Sequence, residues 1–182
     1  MRKFQQNLSN FKRADFYSLF NKLVLNELIQ DKDFSQFYFQ NVKFFNCSCK
    51  NIGFTNTESY RLTFYNCQFN SVSFSKTYLI DIIFENCQLL NCSYGGASVY
   101  CVRYMNCQLN NVKFNAADLT NFEFEKSQLL NVSFDGSEVE NLTIKNSTLK
   151  DIDFYSMTVS NTFSKAGILI TEEVSIQSYA SF

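Results

Sequence analysis

Apolar residues recur at every fifth position through most of the chain. From Phe34 the step of five lands on Phe39, Phe44, Cys49, Phe54, Ser59, Phe64, Phe69, Phe74, Leu79 and Phe84, and it continues without insertion or deletion to Val159. Of these 26 centre positions only Ser59 is not apolar. Neither the 3.6-residue period of a helix nor the two-residue period of a strand sustains that spacing. A short fixed period points instead to a stacked repeat.

The position two before each centre is also selected, and its size alternates. Val42, Ile52, Leu62, Val72 and Ile82 are bulky, whereas Cys47, Thr57, Cys67, Thr77 and Cys87 between them are small. A period of ten is therefore nested on five. A period of twenty shows in Asn66-Cys67-Gln68-Phe69, which returns as Asn86-Cys87-Gln88-Leu89 and Asn106-Cys107-Gln108-Leu109. Four five-residue sides per turn stack such phrases on one face, ~4.8 Å apart at the sheet spacing.

The position two after each centre reads as a corner. Fourteen of 26 such positions are Asn, and Gly96 and Gly136 fall in the same register. The third residue of a type II turn needs a positive φ, which Asn and Gly tolerate. The chain has no Pro, consistent with a stack in which each Pro would delete an N–H that bonds to the next coil. The pattern predicts an all-β solenoid of square coils around a dry, Phe-filled centre, 26 sides making 6.5 coils.

These residues resemble the pentapeptide-repeat family over 32 to 162, with Ala117-Asp118-Leu119 a faithful copy of the family phrase. The resemblance implies a right-handed quadrilateral β-helix. It also implies a protein that binds other proteins. The family's best-defined activity is on type II DNA topoisomerases, DNA gyrase and topoisomerase IV, where quinolone-resistance members imitate a DNA duplex through rod shape and negative surface. Asn at the corners and Val or Ile before Phe depart from the usual phrase. The unbroken register leaves no place for the long loops of plasmid-borne resistance members.

Outside the repeat the pattern changes. Phe16, Leu19, Phe20, Leu23, Val24 and Leu28 fit helical spacing, with Asp15 as an N-cap. Residues 1–31 are expected to form an N-terminal helical cap, with the helix at about 16–29. Residues 163–182 read as a C-terminal cap or dimerisation segment. Within it Gly167-Ile168-Leu169-Ile170 suits a final strand, and Thr171-Glu172-Glu173 resembles a helix start. The resemblance makes a homodimer through this segment an open alternative.

Composition narrows the chemistry. With 16 basic and 17 acidic side chains the net charge is −1, which supports neither a strongly basic nucleic-acid binder nor an acidic tail. Lys43 and Arg103 share a column, but Thr63, Ile83 and Glu123 break any basic stripe, so no direct nucleic-acid contact is expected. The chain has no His, the commonest general base and metal ligand, and the filled core leaves no evident pocket. A non-catalytic protein without cofactor is expected. No stretch has the length of a membrane span or of a signal-peptide core. Seven Cys, an odd number, read as reduced thiols in a cytoplasmic protein. Cys47, Cys67, Cys87 and Cys107 form a column that Ser127 and Ser147 continue. Replacement by Ser suits a packing slot, not a metal ligand.

Two outward sides carry the candidate partner-binding residues. Tyr60, Ile80 and Tyr100 fall in one outward column with Tyr78 beside them, and Phe45, Tyr65 and Met105 share a column on the adjoining side. Further along the same sides lie Asp118, Glu123, Glu125, Glu138 and Glu140, with Lys126 and Lys145 as partial compensation. An apolar patch of this extent suits an interface, and stacked Tyr and Ile that join neighbouring coils as cross-strand pairs do are the alternative. A protein-binding rod is the favoured reading, and a modulator of gyrase or topoisomerase by partial DNA mimicry is its specific candidate. The alternative is a structural or effector element of a larger assembly.

Overall fold

The computed structural model describes residue 8, residues 18–159 and the strands at 168–171 and 175–177. From residue 18 to 159 every strand pairs in parallel with the strand twenty residues on, as in Leu79↔Val99, Val99↔Leu119 and Leu119↔Val139. The chain therefore climbs as a solenoid of about seven turns, each of four sides. Side 1 is centred on Leu19, Phe39, Ser59, Leu79, Val99, Leu119 and Val139. Side 2 is centred on Val24, Phe44, Phe64, Phe84, Tyr104, Phe124 and Ile144. The centres of side 3 run from Ile29 to Leu149, and those of side 4 from Phe34 to Phe154. Sides 1 and 2 form a 12-stranded sheet, and side 3 an 8-stranded one.

Why this sequence makes square coils is visible at the corners. Every fifth residue from Asn21 to Ser156 has a φ near +50 to +65°, a region most L-residues avoid. Asn holds 15 of these 28 corners and Gly two. On side 4 the corner closes as a β-turn with an i→i+3 bond, such as Ala97 N–H to the Tyr94 carbonyl at 3.0 Å, so the expected type II geometry holds there. The corner N–H groups are also used between coils: Asn41 donates to the Tyr60 carbonyl at 2.9 Å and Asn66 to that of Glu85 at 2.9 Å. A Pro at these corners would lose that bond and could not reach the required φ.

Stacked corner amides form ladders on the outside. Asn46 Nδ2 donates to Asn26 Oδ1 at 3.0 Å, and Asn66 Nδ2 to Asn46 Oδ1 at 2.8 Å. Asn41 reaches Asn21 at 2.7 Å, and Asn111 reaches Asn91 at 2.6 Å.

Inside, sides 2 and 4 carry facing aromatic stacks. Phe44, Phe64, Phe84, Tyr104 and Phe124 follow one another at centroid separations of 4.7–5.2 Å with ring planes within 20°. Phe54, Phe74, Tyr94, Phe114 and Phe134 stack likewise on side 4 at 4.8–5.1 Å with planes within 21°. The stacks meet edge-on, as Phe74 does Phe84 at 6.4 Å and 83°, an arrangement that ring quadrupoles favour. Bulky residues precede the centres on these two sides, and small ones precede those of sides 1 and 3. The alternation of size read along the sequence is thus an alternation of sides. In the column that precedes side 1, Phe37 is a buried aromatic ring where Thr57, Thr77, Ala97, Ala117 and Ser137 are small.

The expected N-terminal helix does not form where the chain is described. Ser18–Phe20, Leu23–Leu25 and Leu28–Asp33 are strands that pair with Tyr38–Gln40, Lys43–Phe45 and Ser48–Gly53. Residues 18–37 are the first coil, and residues 16 and 17 of the expected helix lie outside the described residues. Leu19 and Val24 belong both to the helical pattern with Phe16, Phe20, Leu23 and Leu28 and to the step of five with Ile29. The open edge of the coil above decides, because it offers hydrogen bonds that a helix would leave unmade. Leu8, 1% exposed, joins the core at this end.

At the other end the strand expected at 168–170 forms as Ile168–Thr171, pairing Leu142 with Ile168, so the register has moved from 20 to 26 residues. Ser175–Gln177 then pairs with Thr148–Lys150. Thr171 is therefore the end of a strand, not the start of a helix, and residues 172–174 lie outside the described residues. Most of the expected dimerisation segment also lies outside them.

Candidate partner-binding surface

Because the coil period is twenty, the side chains flanking a centre on side 1 stand in two outward columns. One reads Tyr38, Glu58, Tyr78, Ser98, Asp118, Glu138, and the other Phe20, Gln40, Tyr60, Ile80, Tyr100, Thr120, Glu140. Tyr60, Ile80 and Tyr100 are in direct register, as their spacing predicts. The rings do not stack straight up a column. They alternate between columns: Phe20 meets Tyr38 at 5.2 Å, Tyr38 meets Tyr60 at 5.6 Å, Tyr60 meets Tyr78 at 6.2 Å and Tyr78 meets Tyr100 at 5.5 Å. This diagonal staircase crosses five coils with planes tilted by 39–59°. Phe20 and Tyr78 are 45% and 38% exposed, the other three half-buried. Partial burial and the Glu58 carboxylate hold the Tyr60 hydroxyl above the usual phenol range.

Sequence reasoning missed Phe20 and Tyr38. Phe20 falls within the expected helix, and Tyr38 stands one column away from Tyr60. The signal was present, since Tyr38 and Tyr78 differ by two full coils.

Side 2 is less continuous. Phe45 and Tyr65 contact each other at 5.7 Å, but Glu85 stands between Tyr65 and Met105 in the same column. Where sides 1 and 2 meet, the Asn ladder is interrupted by Arg61, Asp81 and Cys101. Asp81, Ile83, Cys101, Arg103, Asn121 and Glu123 there line a surface groove of about 380 Å³.

The acidic residues divide between the two sides. On side 2, Glu123 accepts from Lys145 Nζ at 2.9 Å and Glu125 lies 3.6 Å from Lys126, so the two expected lysines compensate these two carboxylates. Glu123 in turn raises the Lys145 ammonium above its usual value. Side 1 holds Asp118, Glu138 and Glu140. Asp118 and Glu138 are in register one coil apart, and neither has a cationic partner among the described residues.

The cysteine column is part of the hydrogen-bond framework. The Cys47, Cys67, Cys87 and Cys107 thiols donate to carbonyls of the preceding coil, those of Val24, Phe44, Phe64 and Phe84, at 3.3–3.7 Å. Burial pushes the Cys49 thiol well above its usual value and that of Cys92 up to about 11, away from reactive thiolate character. Only Cys101 is exposed among the described cysteines. Among the described residues no group of three or more Cys, Asp or Glu converges as a metal site. No helix among them is long and apolar enough to cross a membrane.

Parallel square coils, positive-φ corners and stacked interior rings define a repeat protein whose outward side chains are held at fixed spacing. The match to a family model described as a pentapeptide repeat region, over residues 57–132, gives that class its name. Residues 57–132 are a pentapeptide repeat region, and the coils on either side keep its register. No curated protein matches it by sequence. Among solved structures it is similar to full-length QnrB1, a plasmid-mediated fluoroquinolone resistance protein, at 15% identity and a TM-score of 0.54, over 92% of this chain and 89% of that one. Rfr23, a pentapeptide-repeat protein from the cyanobacterium Cyanothece 51142, matches at 14% identity and a TM-score of 0.47 over 55% of this chain and 64% of its own. HetL from Nostoc sp. strain PCC 7120, a pentapeptide-repeat protein involved in heterocyst differentiation regulation, shows 10% identity and a TM-score of 0.36 over 85% and 86%.

Proposed function

We propose that the protein is a non-catalytic binding module that presents sides 1 and 2 of its rod to another protein. The observation that carries this reading is the aromatic staircase from Phe20 to Tyr100, a continuous run of partly exposed rings outside the core. A solenoid has no need of aromatic rings on its outside, since the two interior stacks already join successive coils. Rings held on a rigid scaffold lose little conformational entropy on binding, which favours affinity.

The specific candidate is a modulator of DNA gyrase or topoisomerase IV that imitates part of a DNA duplex. Its support is the pentapeptide-repeat rod, the fold it shares with a fluoroquinolone resistance protein, and the carboxylates Asp118, Glu138 and Glu140 on side 1. The net charge of −1 and the Lys145 and Lys126 partners of Glu123 and Glu125 weigh against extensive mimicry. A supercoiling assay over a titration of the protein, with and without quinolone, tests it. Inhibition or drug protection that weakens when Glu138 and Glu140 become Gln supports the candidate. No effect at micromolar protein removes it and leaves the broader reading to pull-downs comparing the native chain with Tyr60→Ser/Tyr100→Ser.

A further inference from the structure

We infer that the groove where sides 1 and 2 meet seats an acidic side chain of a partner protein, with Arg103 as the anchor for its carboxylate. This rests on the reading of sides 1 and 2 as a protein-binding surface and adds the chemistry of one contact. The groove lies where the corner pattern is broken. Along this edge Asn41 bonds to Asn21 and Asn141 to Asn121, but Arg61, Asp81 and Cys101 stand at the three corners between. The corners Asp81, Cys101 and Asn121 make one rim, and Ile83, Arg103 and Glu123 of side 2 make the other. Each rim climbs two coil steps, ~10 Å at the sheet spacing.

The charges around this groove do not cancel. Asp81 lies 4.0 Å from Arg61, and Glu123 accepts from Lys145 Nζ at 2.9 Å, so each carboxylate has a cation of its own. Arg103 stands in register between Ile83 and Glu123 and has no ion pair or hydrogen bond to a described residue. Arg61, Arg103 and Lys145 against Asp81 and Glu123 leave a positive charge here, on a chain whose net charge is −1. One uncompensated guanidinium suits a monoanion, and its planar fork matches a carboxylate with two parallel hydrogen bonds. A phosphate dianion would instead face Asp81 and Glu123 across the groove. Half-buried Ile83 offers apolar surface to the methylenes of a glutamate. The partner follows from the neighbours. Ile80 and Tyr100 of the staircase side directly precede the rim residues Asp81 and Cys101, so a segment lying on the rings reaches the groove. Arginine beside exposed aromatic rings is the composition of an interface anchor.

Cys101, the exposed thiol among the described cysteines, lines the same groove and serves as the reporter. Iodoacetate and iodoacetamide alkylate the same thiolate and differ in a carboxylate against an amide. The ratio of their rates at Cys101, read by mass spectrometry on the full chain, therefore isolates the carboxylate's interaction. That ratio is expected to fall about threefold or more in Arg103→Gln, with circular dichroism establishing that the variant is folded. The blocked tripeptide Leu-Glu-Leu should protect Cys101 from iodoacetamide at about tenfold lower concentration than Leu-Gln-Leu or acetate. A ratio unchanged in Arg103→Gln, or equal or absent protection by the two peptides, overturns the inference. Protection by acetate at the concentration of the Glu peptide also overturns it, by assigning the groove to a small free acid. These results leave the protein-binding reading standing. That reading fails separately, when Tyr60→Ser/Tyr100→Ser leaves partner capture unchanged.

Discussion

The Cys107 backbone N–H donates to the Ser127 hydroxyl one coil away at 3.1 Å, just as Cys47 N–H meets the Cys67 thiol at 3.5 Å. Ser127 N–H continues the chain to the Ser147 hydroxyl at 3.0 Å. Sulfur and oxygen thus do the same work in one column. Ser127→Cys is expected to change stability by less than about 1 kcal/mol. Ser127→Ala strands a buried N–H and should cost about 1–3 kcal/mol. Urea unfolding followed by circular dichroism separates the two, and equal midpoints would show that the column only fills space.

Gly136 isolates the backbone cost of a corner. Its φ is +65°, and a Cβ placed there would meet nothing within 4 Å. Gly136→Ala should therefore cost about 1 kcal/mol from the left-handed conformation alone. Ala116, at φ +52°, offers the reverse experiment. Ala116→Gly should raise the unfolding midpoint, less the entropy glycine adds to the unfolded chain.

Tyr94 and Tyr104 lie wholly inside the stacks, and their hydroxyls have no hydrogen-bond partner among the described residues. Replacing both by Phe removes two stranded polar groups and is expected to stabilise the fold by about 1 kcal/mol. Burial also holds both hydroxyls well above the usual phenol range. The unfolded phenols ionise near pH ~10, so above it the folded state binds more protons and stability falls as pH rises. Below that pH their contribution is complete. The double Phe variant should lose this part of the alkaline decline, while the Cys92 thiol, pushed up to about 11 by burial, retains its own. Urea midpoints compared near neutral pH and above pH ~10 check both statements.

Much of this architecture was legible because a centre such as Phe84 and a corner such as Asn86 obey one register for over a hundred residues. The first coil was not. Leu19 and Val24 belong both to a helical pattern with Phe20, Leu23 and Leu28 and to the step of five with Ile29, and only the strand edge at 38–53 chooses between the two. The corner signal of Asn21, Asn26 and Asp31, all at positive φ, was the cue that distinguishes the two. At the surface the columns were legible, since Tyr60, Ile80 and Tyr100 differ by a whole coil. The diagonal contacts through Tyr38 and Phe20 were not, because they depend on how rings lean between columns.

The central claim is that the outer rings serve a partner while the inner rings hold the coils together. Phe84 touches Phe64, Phe69, Phe74 and Tyr104 and is fully buried. Tyr100 ends the staircase with one ring neighbour in it, Tyr78. Unfolding midpoints of Phe84→Ala and Tyr100→Ser, measured side by side on the full chain, decide the matter. The account expects Phe84→Ala to cost about 3–5 kcal/mol and Tyr100→Ser about 1 kcal/mol or less. A loss in Tyr100→Ser comparable to that of Phe84→Ala would make the outer rings structural and contradict the binding surface.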